Sequence, residues 1–119
     1  MRDLKVIAFT HKTTDIKNIG KLHIDVINRQ VRLSRIKELG VSELMYLSTC
    51  NRVEFIFVHD EPISENFLYS FFAIFNPDWD DKDIKWAMSN CMMFEGQESV
   101  RHIFQIASSI DSLVVGERE

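Results

Sequence analysis

Short apolar runs predict the strands of this chain. Residues 4–9 are rich in β-branched and aromatic side chains, which is typical of a largely buried strand. Residues 43–48 and 53–59 have the same character and are separated by only a few residues, so we expect them to pair as a hairpin. A fourth strand is predicted within residues 86–94, where the spacing of the apolar positions also fits a helix.

Helices are predicted where apolar residues recur every three or four positions. The three sets are Ile24, Ile27, Val31, Leu33, Ile36 and Leu39; Phe67, Leu68, Phe71, Phe72 and Phe75; and Val100, Ile103, Phe104, Ile106 and Ala107. Asp25 and Gly40 are suited to start and stop the first helix, and Pro77 follows the second. His102 lies one position away from the stripe of the third helix.

The predicted order of elements is β-α-β-β-α-β followed by a further helix. This order indicates an α+β fold with a ferredoxin-like, split β-α-β antiparallel sheet and an additional C-terminal helix. We expect residues 1–94 to form the ferredoxin-like unit and residues 95–119 to form a helical segment that completes the domain. Residues 113–115 form another apolar run close to the end of the sequence, where a polar tail would be usual. We therefore also expect a longer parent protein.

The composition is that of an ordinary globular domain, with 45% hydrophobic residues, 27% charged residues and few Gly or Pro. No apolar run approaches the roughly 20 residues of a membrane span, and the first residues lack the apolar core of a signal peptide. We therefore expect a cytoplasmic protein without membrane contact. Cys50 and Cys91 form no C-x-x-C pair and the histidines are scattered, so neither a disulfide framework nor a metal site is expected.

The formal net charge of −4 argues against a surface that coats nucleic acid generally. Arg29, Arg32 and Arg35 recur at three-residue spacing on the first predicted helix and are the best candidate for a local RNA contact. The same spacing is common on a solvated helix face.

The segment Ser48-Thr49-Cys50-Asn51-Arg52 carries the strongest indication of chemistry. A cysteine attacks as its thiolate, which a nearby permanent cation favours, so Arg52 could both activate Cys50 and bind an anionic substrate. The predicted hairpin places Cys50 in the connection between two strands. The alternative interpretation is a small buried residue at a strand end.

Three blocks of the sequence resemble the glutamyl-tRNA reductase family. They are residues 9–13 (FTHKT), residues 47–54 (LSTCNRVE) and residues 94–117, which begin FEG and end DSLVVGE. Their order and spacing are similar to the N-terminal catalytic domain of that family over essentially the whole chain. The resemblance implies NADPH-dependent reduction of glutamyl-tRNA(Glu) to glutamate-1-semialdehyde through a cysteine thioester, at the start of tetrapyrrole (porphyrin and heme) biosynthesis.

The resemblance also implies roles for individual residues. Cys50 matches the nucleophile and His102 matches a histidine important for activity. The implied substrate-binding residues are Thr49, Asn51, Arg52, Ser112, Glu117, Arg118 and Glu119. The chain departs from the family pattern at Ser109-Ile110 and at Arg118-Glu119, so the contacts of the last two residues have the weakest basis.

Cofactor and partners follow from the same resemblance. It implies NADPH in the full-length enzyme, a homodimer, and a contact with glutamate-1-semialdehyde aminomutase. The chain contains no G-x-G-x-x-G motif, so we expect it to bind no cofactor itself.

Two other functions use the same predicted topology: an RNA-binding module and a small-molecule-sensing module. Phe55 and Phe57 lie on one face of a predicted strand, as base-stacking residues do in RNA-recognition domains. The glycines and basic residue that precede such aromatics are missing here. His102 could also be a half-buried helix residue that bonds a backbone carbonyl.

Overall fold

A computed structural model describes the backbone of residues 3–117 and the side chains of residues 3–108. The elements in chain order are β1 Leu4–Thr10, α1 Ile16–Ile19, α2 Val26–Ile36, β2 Ser42–Thr49, β3 Arg52–Val58, α3 Glu65–Phe75, α4 Asp81–Asn90, β4 Met92–Glu95 and α5 Gln97–Glu117. Short 3₁₀ turns at Gly20–Leu22 and Lys37–Leu39 follow α1 and α2. Within the described part of the chain, no helix combines the length and apolarity that crossing a membrane requires.

The four strands form one antiparallel sheet in the order β2-β3-β1-β4. Strand β3 therefore lies between β1 and β2, although it follows both in sequence. This arrangement is the split β-α-β topology, and it confirms the predicted ferredoxin-like α+β fold. Because successive strand residues face opposite sides, each strand contributes to two different surfaces of the sheet.

One face of the sheet packs against α3 and forms the aromatic core. Phe55 and Phe57 of β3 are fully buried there. The ring of Phe55 meets that of Phe71 edge to face, with centroids 5.1 Å apart, and Phe75 lies 5.4 Å away. The predicted phenylalanine stripe is thus confirmed as core. Since Phe55 and Phe57 are enclosed, neither is available to stack on an RNA base.

Helix α5 covers the opposite face of the sheet through Ser99, His102 and Ile106, which are all buried. The Ser99 hydroxyl donates to the backbone carbonyl of Leu4 at 3.0 Å. The predicted core stripe of this helix is wrong at Phe104, which is 68% exposed. Ile106 of the predicted stripe is buried as expected, whereas the other two inward residues, Ser99 and His102, are polar and find their partners in the sheet.

The fourth predicted strand is confirmed only at its C-terminal end, and the helical alternative is correct for the residues before it. Residues 81–90 form α4, and only Met92–Glu95 form β4. The helix starts with a capping box in which the side chains of Asp80 and Asp83 accept hydrogen bonds from each other's backbone N–H groups. Trp86 then stacks on Phe9 across the core, with ring centroids 6.0 Å apart, so tertiary packing favours the helix.

The predicted caps of the first long helix are confirmed, and its apolar stripe is confirmed in part, since Ile24 and Ile36 are buried and Leu33 and Leu39 pack against the core. Asp25 caps α2 through the backbone N–H of Asn28, and Gly40 ends the following turn with a φ of 86°, which a glycine adopts without strain. Ile27, predicted as core, is 87% exposed.

Two of the three arginines of α2 are partly buried against aromatic rings. The Arg29 guanidinium lies over the ring of Tyr46, and Arg32 donates to the backbone carbonyl of Phe75 at 2.9 Å. Arg35 alone of this trio is exposed. Arg29 and Arg32 therefore cover aromatic rings with part of their surface, and the local RNA contact of the three arginines stays a prediction.

Candidate active site

The cysteine identified from the sequence lies in a tight hairpin turn. Thr49, the last residue of β2, pairs with Arg52, the first residue of β3, so the turn consists of Cys50 and Asn51. The predicted hairpin is confirmed, with a shorter connection than expected. Cys50 is exposed, and the Thr49 hydroxyl donates to the side-chain oxygen of Asn51 at 3.2 Å.

Hydrogen bonds on the core side of β2 hold this hairpin to the loop before α2. Ser48 bonds the ring nitrogen Nδ1 of His23. The Tyr46 hydroxyl donates to the carbonyl of Leu22 at 2.8 Å and accepts from the N–H of Ile24 at 3.2 Å. Burial raises the pKa of Tyr46, so it stays a neutral phenol able to serve both partners. The turn that presents Cys50 therefore projects from an anchored strand pair.

Arg52 and Glu54 project from the other side of β3, toward α5, because they are two residues apart on one strand. Nη1 of Arg52 donates to Oε2 of Glu54 at 2.7 Å. The Arg52 side chain keeps 25% of its surface exposed, whereas that of Glu54 is completely buried. One edge of the guanidinium is thus bound inside the protein while part of it reaches solvent.

His102 of α5 reaches the same carboxylate from above the sheet. Its Nε2 lies 2.7 Å from Oε1 of Glu54, and its ring stacks on Phe94 with centroids 4.1 Å apart and planes 14° apart. An ionised carboxylate only accepts hydrogen bonds, so Nε2 carries the proton. Nδ1 is then the ring nitrogen that can serve a ligand.

A cavity of about 550 Å³ runs along the exposed side of α5, and a smaller one of about 290 Å³ opens beside Arg52 and His102. The smaller cavity is lined by Thr10, Lys12, Arg52, Met92, Phe94, His102, Gln105 and Ile106. Its volume is at the low end for ligand sites and suits an amino-acid side chain better than a dinucleotide. Lys12 and Arg52 give it two cations, which favour an anionic ligand.

The structure brings together some of the predicted site residues and leaves others apart. Arg52 and His102 share the cavity, while Thr49, Cys50 and Asn51 form the adjacent turn and are absent from its lining. Ser112 and Glu117 belong to α5, but their side chains are not described. Arg118 and Glu119 lie outside the described residues.

The second cysteine shows none of the features of a reactive thiol. Cys91 is half-buried at the end of α4, and its Sγ contacts the carbonyl of Met88 at 3.6 Å. Burial raises its pKa to about 11, so it stays protonated at neutral pH. The prediction of a packed thiol is confirmed. Among the described residues, no three His, Cys, Asp or Glu side chains are grouped to hold a metal ion.

Sequence reasoning missed Glu54, Lys12 and Thr10. A single glutamate in a strand resembles a solvated position, and only the helix lying across the sheet makes Glu54 buried. The available signal was the Arg-x-Glu spacing, which places opposite charges on one strand face directly after the cysteine.

A family model described as "Glutamyl-tRNAGlu reductase, N-terminal domain" matches residues 7–119. The chain belongs to this family. A glutamyl-tRNA reductase from Campylobacter lari is 36% identical over 117 residues, which are 95% of this chain and 26% of that protein. One from Syntrophobacter fumaroxidans is 33% identical over 115 residues, 94% of this chain and 24% of that protein.

The fold is also shared with a solved member of the glutamyl-tRNA reductase family. The structure of glutamyl-tRNA reductase from Methanopyrus kandleri matches with a TM-score of 0.62 and 23% identity, over 98% of this chain and 25% of that one. The chain spans about a quarter of the length of the curated relatives it matches.

Proposed function

We propose that this chain is the acyl-accepting catalytic domain of a glutamyl-tRNA reductase, which receives the glutamyl group of glutamyl-tRNA(Glu) on Cys50. The observation that carries this proposal is the placement of an exposed thiol in an anchored two-residue turn directly before Arg52. Arg52 in turn lines a small cationic cavity together with His102. Membership in the reductase family supports the same function.

The proposed first step is a transfer of the acyl group from oxygen to sulfur. The thiolate of Cys50 attacks the carbonyl carbon of the glutamyl ester, the C–O bond to the terminal ribose of the tRNA breaks, and the departing oxygen takes up a proton. An aminoacyl ester is already activated, so this step does not demand an adjacent catalytic dyad. The thioester that forms accepts hydride more readily than an ester does, which gives a reason for cysteine instead of serine.

In this proposal the residues around Cys50 hold the glutamyl group. Arg52 binds its side-chain carboxylate through the edge of the guanidinium that Glu54 leaves available. Thr49 and Asn51 contact the group from the turn, and Ser112, Glu117, Arg118 and Glu119 form a second wall. His102 acts through Nδ1, which positions the substrate as an acceptor when the ring is neutral and delivers a proton to the departing oxygen when the ring is protonated on both nitrogens.

The reduction itself needs residues beyond this chain. The chain has no G-x-G-x-x-G motif, the usual sequence signature of a dinucleotide site. We therefore assign NADPH to another part of the parent protein and derive no step through it here.

The wider assignments are also part of the proposal. The chain is divided into a ferredoxin-like unit of residues 1–94 and a helical segment of residues 95–119. The parent enzyme is a cytoplasmic homodimer. It produces glutamate-1-semialdehyde for tetrapyrrole biosynthesis and transfers that product to its aminomutase.

The proposal is tested by comparing Cys50→Ser with Cys91→Ser in the full-length protein. We expect Cys50→Ser to abolish NADPH-dependent reduction of glutamyl-tRNA and Cys91→Ser to retain it, because the Cys91 thiol is packed and protonated. Full reductase activity in Cys50→Ser would refute the assignment of the nucleophile.

A further inference from the structure

Glu54 is a completely buried carboxylate between two residues of the candidate active site. Its Oε2 accepts from Nη1 of Arg52 and its Oε1 from Nε2 of His102, each at 2.7 Å. Burying an isolated carboxylate is strongly unfavourable, so the charge is tolerated only because both oxygens are satisfied. One side chain thus links a strand residue to a residue of the helix that crosses the sheet.

The two partners of Glu54 line the cavity, but Glu54 itself does not. It therefore acts on a bound ligand only through the orientation of Arg52 and His102. Binding Nη1 turns one edge of the guanidinium inward and fixes which donors face the cavity. Binding Nε2 fixes the tautomer of a neutral His102 and, together with the stacked ring of Phe94, the plane of its ring.

A gain in folding stability does not by itself explain why a charged Glu54 is buried between Arg52 and His102. Buried ion pairs are often replaceable by apolar residues of similar volume without loss of stability, because the attraction barely offsets the desolvation of both charges. The neighbours of Glu54 in the sheet are Leu47 on β2 and Ala8 on β1, so an apolar residue would suit this row. The buried charge is better explained by what it does to its two partners.

We propose that Glu54 is a positioning residue that holds Arg52 and His102 in one fixed relation for acyl transfer to Cys50. This role rests on the proposed function. Arg52 is kept ready for the substrate carboxylate, and His102 keeps Nδ1 directed to the ligand side.

The test is Glu54→Gln in the full-length protein, with Glu95→Gln as the matched control. Glu95 is also ion-paired, to Lys5 at 2.9 Å, but lies on the edge strand with its side chain 42% exposed. The rate constant of Cys50 acylation at saturating glutamyl-tRNA, the half-saturating concentration and the thermal unfolding midpoint are measured for each variant. Glutamine keeps the shape of the side chain but has one acceptor oxygen and one donor NH₂ group, so it cannot accept hydrogen bonds from both Arg52 and His102.

We expect Glu54→Gln to slow acylation roughly 10- to 100-fold, because it disturbs the orientation of a group that acts in proton transfer or binding. The half-saturating concentration should change less than the rate, since Glu54 does not touch the substrate, and Glu95→Gln should match the wild type in both. If Glu54→Gln fails to fold, Glu54→Asp replaces it: the charge is kept but the carboxylate is drawn back by one methylene, and the same slowing is expected.

The outcomes separate this role from the proposed function. A wild-type protein that forms no thioester on Cys50 refutes both. A wild type that is acylated, with a folded Glu54 variant acylated at the same rate, refutes the positioning role only. The positioning role is also refuted if the lower acylation rate of the variant is fully explained by a smaller fraction of folded protein.

Discussion

Replacing Arg52 by lysine tests the carboxylate-binding role without removing the charge. The guanidinium presents five N–H donors in a plane, and the contact with Glu54 at 2.7 Å uses Nη1. The remaining edge can bind a substrate carboxylate by two parallel hydrogen bonds. A lysine ammonium is a point charge that the buried carboxylate of Glu54 would capture, so one cation could no longer serve both anions.

The expected size of the effect follows from that lost contact. A hydrogen bond to a charged group contributes about 1.5–3 kcal/mol, which corresponds to roughly 10- to 150-fold in kcat/KM. The free energy of unfolding should change by less than about 1 kcal/mol, because Glu54 keeps a cationic partner. Arg52→Ala would be a poorer test, since it leaves the buried carboxylate with His102 alone.

The assay is steady-state reduction of glutamyl-tRNA by the full-length protein, with Arg101→Lys as the control. Arg101 is an exposed α5 residue paired with Glu98 at 3.3 Å, so the same substitution there should leave kcat/KM unchanged. With tRNA that carries glutamine, which lacks the negative charge, Arg52→Lys should lose much less than with glutamate. Unchanged kcat/KM for glutamyl-tRNA, or equal losses with both substrates, would show that Arg52 does not bind the carboxylate.

Three further predictions concern the core, the thiols and a helix cap. Phe55→Ala should lower the free energy of unfolding by about 3–5 kcal/mol in denaturant titration, and a loss below about 1 kcal/mol would mean that the ring is not enclosed. Iodoacetamide at neutral pH should label Cys50 well before Cys91, whose labelling should rise only as the pH approaches its raised pKa of about 11; equal rates at neutral pH would contradict this. Asp80→Ala removes the cap of α4 and should lower the thermal midpoint by the equivalent of about 1 kcal/mol, and an unchanged midpoint would mean that the cap contributes nothing.

The sequence was sufficient for the features that depend on local patterns. The first three strands, the phenylalanine stripe of α3, the Asp25 cap and the Gly40 stop all lie where local spacing predicts them. The cysteine turn was also predictable, because two β-rich runs separated by a few residues form a hairpin.

Features that depend on which elements meet across the fold were not predictable in this way. Phe104 and Ile27 are apolar at helical spacing yet exposed, whereas His102 and Arg32 take inward positions because distant partners satisfy them. Glu54 shows the same effect most clearly: its burial is set by a helix that begins more than forty residues later in the chain. Contacts between two polar side chains from distant parts of the chain do not change the spacing of apolar residues, so that spacing does not predict them.

The central claim is that Cys50 accepts the glutamyl group, and mass spectrometry tests it most directly. The full-length protein is mixed with glutamyl-tRNA in the absence of NADPH, quenched in acid, digested and analysed for the peptide that contains Cys50. The account predicts a glutamyl thioester on that peptide, absent from Cys50→Ser and released by hydroxylamine. An acylated wild type whose adduct maps to another residue, or an active wild type with no adduct at all, would contradict it.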